Sequence, residues 1–173
     1  MNGPEELRNL TLPDGAVVCV RAIKPDDAPA LQRLHSRLGE QSIRLRFFGS
    51  MKELSDRKAK YLAYIDRVNS FAMVALDPDE RDEIIAVVRF DCEEGTDRAE
   101  YVALVEDRWQ GRGLGLSMTR QLVEEARHRG VRCFYGLVMP ENRRMLKLLR
   151  SLDLPERECR DGGAKHVEIE LVA

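Results

Sequence analysis

No apolar run in this sequence approaches the roughly 20 residues needed to cross a bilayer, and Met1 to Leu12 lack the basic start and apolar core of a signal peptide. The cytoplasm is the expected location, and no membrane partner is expected. The four cysteines, Cys19, Cys92, Cys133 and Cys159, form no CxxC pair, and three of them fall in stretches that read as strands, so they are expected to be buried or half-buried thiols. His35, His128 and His166 sit in separate elements without ligand spacing, which leaves a metal site unsupported. A strong charge of either sign is also missing. The net charge of −2 provides no general attraction for phosphate backbones, and nucleic acid is excluded as an expected partner.

What remains is a chain of 173 residues, 43% hydrophobic and 34% charged, which suits one compact domain with its own core and leaves no room for a second. Met1 to Asn9 read as a loose end, within an N-terminal extension reaching to Leu12. Residues 16 to 23 (AVVCVRAI) read as a strand, and Pro25-Asp26-Asp27 opens a helix to about Leu38 with Leu31, Leu34 and Leu38 on one face. Gln41 to Phe48 reads as a short helix capped by Ser42, and Ser55 begins another that runs to about Asp66.

The period then changes. Residues 70–76 and 84–92 flank a polar turn and predict a hairpin, and Arg98 to Val105 adds a third antiparallel strand after Glu94-Gly95-Thr96. A helix over Leu114 to Arg129 ends at Gly130, followed by a strand at Val131 to Met139. A helix from Pro140-Glu141-Asn142 to about Leu152, a polar loop and a last strand near 165–172 complete the chain. This order predicts a mixed α/β or α+β sheet rather than the strict alternation of a doubly wound parallel fold.

Gly111, Gly113 and Gly115 come at alternate positions after a strand and before a helix. Free backbone amides and the positive end of the helix dipole meet there, which makes an anion site, and Arg112 can add a charge-assisted contact. The same glycines also suit a strand-to-helix turn that binds nothing. A dinucleotide fingerprint is excluded because Leu116 stands where a third glycine is needed, and a P-loop because Gly115-Leu116-Ser117 has no lysine.

The segment Gln110-Gly111-Arg112-Gly113-Leu114-Gly115 matches the pyrophosphate-loop pattern Q/R-x-x-G-x-G/A, and the chain from about residue 16 onward resembles the GNAT acetyltransferases. Ser42 to Phe48 and Arg98-Ala99-Glu100-Tyr101 leading into Trp109 are further similar to the Pat-type bacterial protein lysine acetyltransferases. The resemblance implies an acyl-CoA N-acyltransferase fold, with a mixed, mostly antiparallel central sheet flanked by helices. It implies acetyl-CoA as cosubstrate without a metal, and an amine acceptor that is a protein lysine or a small molecule. The backbones of Leu104 and Val105 would hold the pantetheine arm, residues 110–117 (Gln110, Gly111, Arg112, Gly113, Leu114, Gly115, Leu116 and Ser117) the diphosphate, and Asn142 the cofactor arm. Amides near Val105 would polarise the thioester carbonyl.

The same resemblance places the general base at Glu100, a residue that otherwise reads as a solvent-facing strand position paired with Arg98. The sequence departs from the family where Arg143-Arg144-Met145-Leu146-Lys147 carries no tyrosine to protonate the leaving thiolate, and where Leu152-Asp153-Leu154 replaces Leu-Gly-Phe. Arg44, Arg46, Phe47 and Phe48 fall by resemblance near the acceptor cleft, and read as core phenylalanines with solvated arginines. Trp109 reads as a packing anchor beside the loop. The missing tyrosine keeps a non-catalytic acyl-CoA sensor as an alternative. Monomer and homodimer are both compatible with the sequence, which carries no coiled-coil repeat.

Overall fold

The computed structural model describes residues 6–66 and 68–172. Its frame is a sheet of eight strands: β1 (Arg8–Thr11), β2 (Val17–Ala22), β3 (Ser70–Leu76), β4 (Ile84–Cys92), β5 (Arg98–Val105), β6 (Cys133–Val138), β7 (Glu156–Asp161) and β8 (Ala164–Glu170). In space they run β1-β2-β3-β4-β5-β6-β8-β7, and every neighbouring pair is antiparallel except β5 with β6. The five helices are α1 (Ala28–Arg37), α2 (Glu40–Phe47), α3 (Asp56–Ala63), α4 (Leu114–His128) and α5 (Arg143–Arg150).

β3 (SFAMVAL) is buried along its whole length because helices cover both faces of the sheet there. On one side α4 packs against β3, β4 and β5 through Met118, Leu122 and Ala126, and on the other α1 and α3 pack together. An aromatic row runs through the core beneath β5 and β6: Phe71 to Phe90 at 6.1 Å, Phe90 to Phe134 at 5.6 Å, and Tyr101 stacked on Phe134 at 5.4 Å.

Local chemistry sets several boundaries. Asp27, buried at the start of α1, accepts from the Lys24 amide at 2.8 Å and from both Arg21 guanidinium nitrogens at 2.7 and 2.9 Å. Burial opposes its charge, but those partners outweigh burial and hold its carboxyl below the ordinary range. Ser55 caps α3 by accepting from the Lys58 amide.

Four expectations need correction. Ser42 lies inside α2 rather than capping it, and Gly39 takes the cap position. Helix α3 stops at Ala63 because the Asp66 carboxylate organises a turn instead, accepting from the amides of Val68, Asn69 and Ser70. The extension read as loose forms β1 over Arg8–Thr11, paired with β2; Met1 to Glu5 lie outside the described residues. The polar loop after α5 contains β7, whose ERECRD sequence is almost wholly exposed at the sheet edge. Asp153, at the position of the family's glycine, adopts the left-handed conformation at φ 54°, so that turn keeps the geometry with a different residue.

Candidate active site

The parallel strands β5 and β6 pair over only three positions, Arg98 with Cys133, Ala99 with Phe134 and Glu100 with Tyr135. Beyond them the strands diverge. Gly136 sits just past the last pair, where a Cβ would come within 3.2 Å of the Tyr101 carbonyl oxygen, so a bare backbone is required at that close approach. The opening is a cleft of about 950 Å³ lined by β5, β6, α2, the glycine loop and the start of α5. Glu100 stands at its vertex, and the glycine loop and the first turn of α4 close its other end.

The loop depends on its three glycines. Gly111 and Gly113 have φ of 73° and 86°, and at Gly115 a Cβ would lie 3.0 Å from Leu148 Cδ1. Among the described bonds, no backbone amide from Gly111 to Leu116 donates to the protein, whereas the Ser117 amide is spent on the Gly113 carbonyl. These unspent donors at the positive end of α4 fit a diphosphate. The register of α4 against β5 is held from below: Thr119 donates to the Gly115 carbonyl at 2.7 Å, which leaves Tyr101 to donate to the Thr119 hydroxyl at 2.7 Å.

Gln110 ties three elements together. Its amide nitrogen donates to the Val105 carbonyl at 2.8 Å and to the Ser42 hydroxyl at 3.1 Å, and its oxygen accepts from Arg144 on α5. Arg112 does not line the cleft; it pairs with Asp14 at 2.7 Å and lies over the Trp109 ring at 4.2 Å. Ser117 is also outside the cleft, and the Leu114 side chain is core, so Leu114 offers only its amide. Asn142 caps α5 by accepting from the Met145 amide at 3.2 Å, and it lines the cleft together with Arg143, Arg144 and Lys147.

Strand register decides which backbone groups face the opening. Glu106 donates to the Ile85 carbonyl, and Leu104 is registered with Val87, so the even-numbered residues of β5 spend their backbone on β4. The odd-numbered residues turn theirs toward the cleft. Ala103 and the amide of Val105, whose carbonyl accepts from Gln110, therefore face the cleft, whereas the backbone of Leu104, expected to share that role, is turned to β4. Ala103 was not identified from sequence.

The Glu100 side chain is exposed to the cleft and makes no hydrogen bond or ion pair among the described residues. Arg98, its anticipated partner, is taken by Glu168 at 2.7 Å and Glu93 at 3.8 Å. Tyr135, the cross-strand neighbour of Glu100, has its phenol pushed above the ordinary value by burial first and then by Glu93 and Glu100, so it stays protonated beside the carboxylate. Sequence reasoning missed Tyr135 and Gly136, although a glycine within the apolar run CFYGLV is a signal for close backbone approach.

Residues 18–154 match the family described as Acetyltransferase (GNAT) domain, which covers most of the chain. The chain belongs to the GNAT acetyltransferase family. It is 32% identical to the acetyltransferase PA5475 of Pseudomonas aeruginosa over 145 residues, spanning 82% of this chain and 77% of that protein. The crystal structure of the GNAT domain of S. lividans PAT superposes with a TM-score of 0.86 at 28% identity, covering 95% of this chain and 96% of that one. A cAMP-binding acyltransferase from Mycobacterium smegmatis shares the fold at a TM-score of 0.70 and 22% identity, and this GNAT chain matches only 48% of its length. The mixed, mostly antiparallel sheet with flanking helices is the GNAT fold, and the family uses acetyl-CoA. Among the described residues, no helix is long and apolar enough to cross a membrane.

Proposed function

We propose that this GNAT chain transfers the acetyl group of acetyl-CoA to a primary amine, with Glu100 as general base. The observation that carries the reading is the arrangement along the cleft: an unpaired carboxylate at the vertex, open strand backbone at Ala103 and the Val105 amide, and unspent amides from Gly111 to Leu116. The cosubstrate supplies a thioester carbon open to attack by a neutral amine. A lysine-type amine, with a reference pKa of about 10.4, costs roughly 4 to 5 kcal/mol to deprotonate at pH 7. Glu100 lowers that barrier by accepting the proton as the N–C bond forms. The Val105 amide faces the developing charge on the carbonyl oxygen.

As the C–S bond breaks, the thiolate leaves and takes a proton from water. A thiol of reference pKa about 8.5 is a competent leaving group without a strong acid. Arg143, Arg144 and Lys147 place positive charge beside the phosphate-bearing part of the ligand, and Asn142 borders its arm. The similarity of Ser42 to Phe48 and of Arg98 to Tyr101 to Pat-type enzymes supports a protein lysine as acceptor. A small-molecule amine is the second reading, for which the cleft of about 950 Å³ has room.

Calorimetric titration of acetyl-CoA tests the cosubstrate site, with Gly113→Glu as control. Its side chain would meet Pro13, already 3.1 Å from the position of a Cβ, and its charge would oppose the diphosphate. Saturable binding lost in the control is expected, and no binding by the folded native chain would refute the reading. Release of CoA dependent on an added amine then separates an enzyme from a sensor that binds without turnover.

A further inference from the structure

The interior arginines of this protein are held by carboxylates. Arg21 pairs with Asp27, Arg37 with Glu83 and Glu106, Arg89 with Asp91, and Arg98 with Glu168. Arg46 is different. It is half-buried on α2 and lines both the cleft and a small cavity of about 40 Å³ behind it, shared with Arg89 and Val102. It makes no hydrogen bond or ion pair among the described residues, and its close neighbour is the face of Phe47, 4.9 Å from the guanidinium carbon. Burial first and then Arg89 disfavour its charge, while Glu100 and Asp91 favour it. An arginine nonetheless stays cationic, with five N–H donors to satisfy.

Neither nearby carboxylate meets that need. Asp91 already takes both its oxygens to Arg89, at 2.9 and 3.0 Å, and Glu100 must be free to accept a proton. The position of Arg46 also separates it from the phosphates. Ser42 touches Gln110 at the loop end of the cleft, and Arg46 lies one helical turn further on, toward Glu100. A half-buried cation with no acceptor from the protein is held only by solvent, and an incoming anion would both satisfy it and be selected by it.

Given the acetyltransferase reading above, on which this step rests, we infer that Arg46 anchors a carboxylate carried by the acceptor, so that the preferred amines bear a carboxylate within reach of the reacting nitrogen. Such a group belongs to a free amino acid or to an acidic side chain beside a lysine in a protein. In either case the amine meets Glu100 while the carboxylate meets Arg46.

The test uses the full chain saturated with CoA and two product series: N-acetylated α-, β- and γ-amino acids against their amides, and Nε-acetyl-lysine peptides with a neighbouring Glu against Gln. In at least one series the carboxylate form should bind about ten- to a hundredfold more tightly, the range for a hydrogen bond to a charged group. Arg46→Gln should close that gap to within about twofold, and Arg46→Lys should retain part of it; CoA affinity and circular dichroism check that each variant is folded. A gap among the amino acids assigns a free metabolite, and a gap confined to the peptides assigns an acid-flanked lysine. Equal affinity in both series, or a gap that survives Arg46→Gln, overturns the inference. The kcat/KM ratio between carboxylated and amidated acceptors should collapse in the same variant. An equal fall for both would make Arg46 a positioning residue for Glu100 and overturn the inference too. Binding discrimination without turnover of any acceptor would refute the acetyltransferase reading while leaving the Arg46 assignment standing.

Discussion

Removing the Gln110 side chain should loosen the site from the inside. Gln110→Ala deletes two neutral hydrogen bonds, to the Val105 carbonyl and the Ser42 hydroxyl, and one bond from Arg144. The neutral bonds are worth about 0.5 to 1.5 kcal/mol each, and the bond from the exposed Arg144 contributes little more than a surface pair, about 0.5 kcal/mol. The expected loss is therefore about 2 kcal/mol, or a fall of about 1 M in the urea midpoint for a denaturant slope near 2 kcal/mol/M. Acetyl-CoA affinity should fall as well, because the bond to Val105 fixes the end of β5 against the loop. Gln110→Glu separates the donor from the bulk of the side chain. It strengthens the contact with Arg144 but replaces the donor to Val105 with an acceptor, so stability should still drop. Urea denaturation and calorimetry of both variants decide the matter. An unchanged midpoint in Gln110→Ala, or a Gln110→Glu protein as stable as the native one, would show that this junction does not hold the loop.

Glu100→Gln should lower kcat by about a hundredfold or more, within the range for general-base catalysis, while acetyl-CoA binds as before; normal turnover across pH would remove Glu100 from the role. Asp27→Asn strips Arg21 of its partner at a buried site, and chemical denaturation at pH 7 should show a loss of about 3 kcal/mol, the lower range for a broken buried pair. The carboxyl of Asp27 is held below its ordinary 3.8 in the folded state, so its contribution is complete above that pH and disappears as pH falls through the lowered native value. Stability measured from pH 6 down to pH 2 should accordingly fall less steeply in Asp27→Asn than in the native chain, and parallel curves would contradict this assignment. Trp109, buried under Arg112 beside the loop, should change its fluorescence as acetyl-CoA saturates the protein, and a flat titration alongside calorimetric binding would place the ligand elsewhere.

The glycine loop was legible because its requirements are local. Positive φ at Gly111 and Gly113, and the close approach of Leu148 at Gly115, are satisfied by residue type alone. Strands β3 to β5 were equally readable, since burial on one or both faces writes an apolar pattern. That pattern reports burial rather than strand conformation, which is why β7, exposed along ERECRD, passed for a loop, and why β1, with only Leu10 half-buried, passed for a loose end. Site details set by distant partners were not readable. Arg112 is drawn off by Asp14, 98 positions away, and the exchange of Leu104 for Ala103 depends on the register of β5 against β4. The lack of a hydrogen-bonding partner for Arg46 is likewise a property of the assembled cleft.

The divergence of β5 from β6 has a further consequence. An unpaired strand edge on a protein's outside invites other chains to add to it, and proteins blunt such edges with charge, bulges or cover. Here two unpaired edges face one another across the cleft instead of facing outward. The backbone groups that would be a hazard on the rim thus line a cleft that α2, α5 and the glycine loop border, where another sheet has no edge to extend.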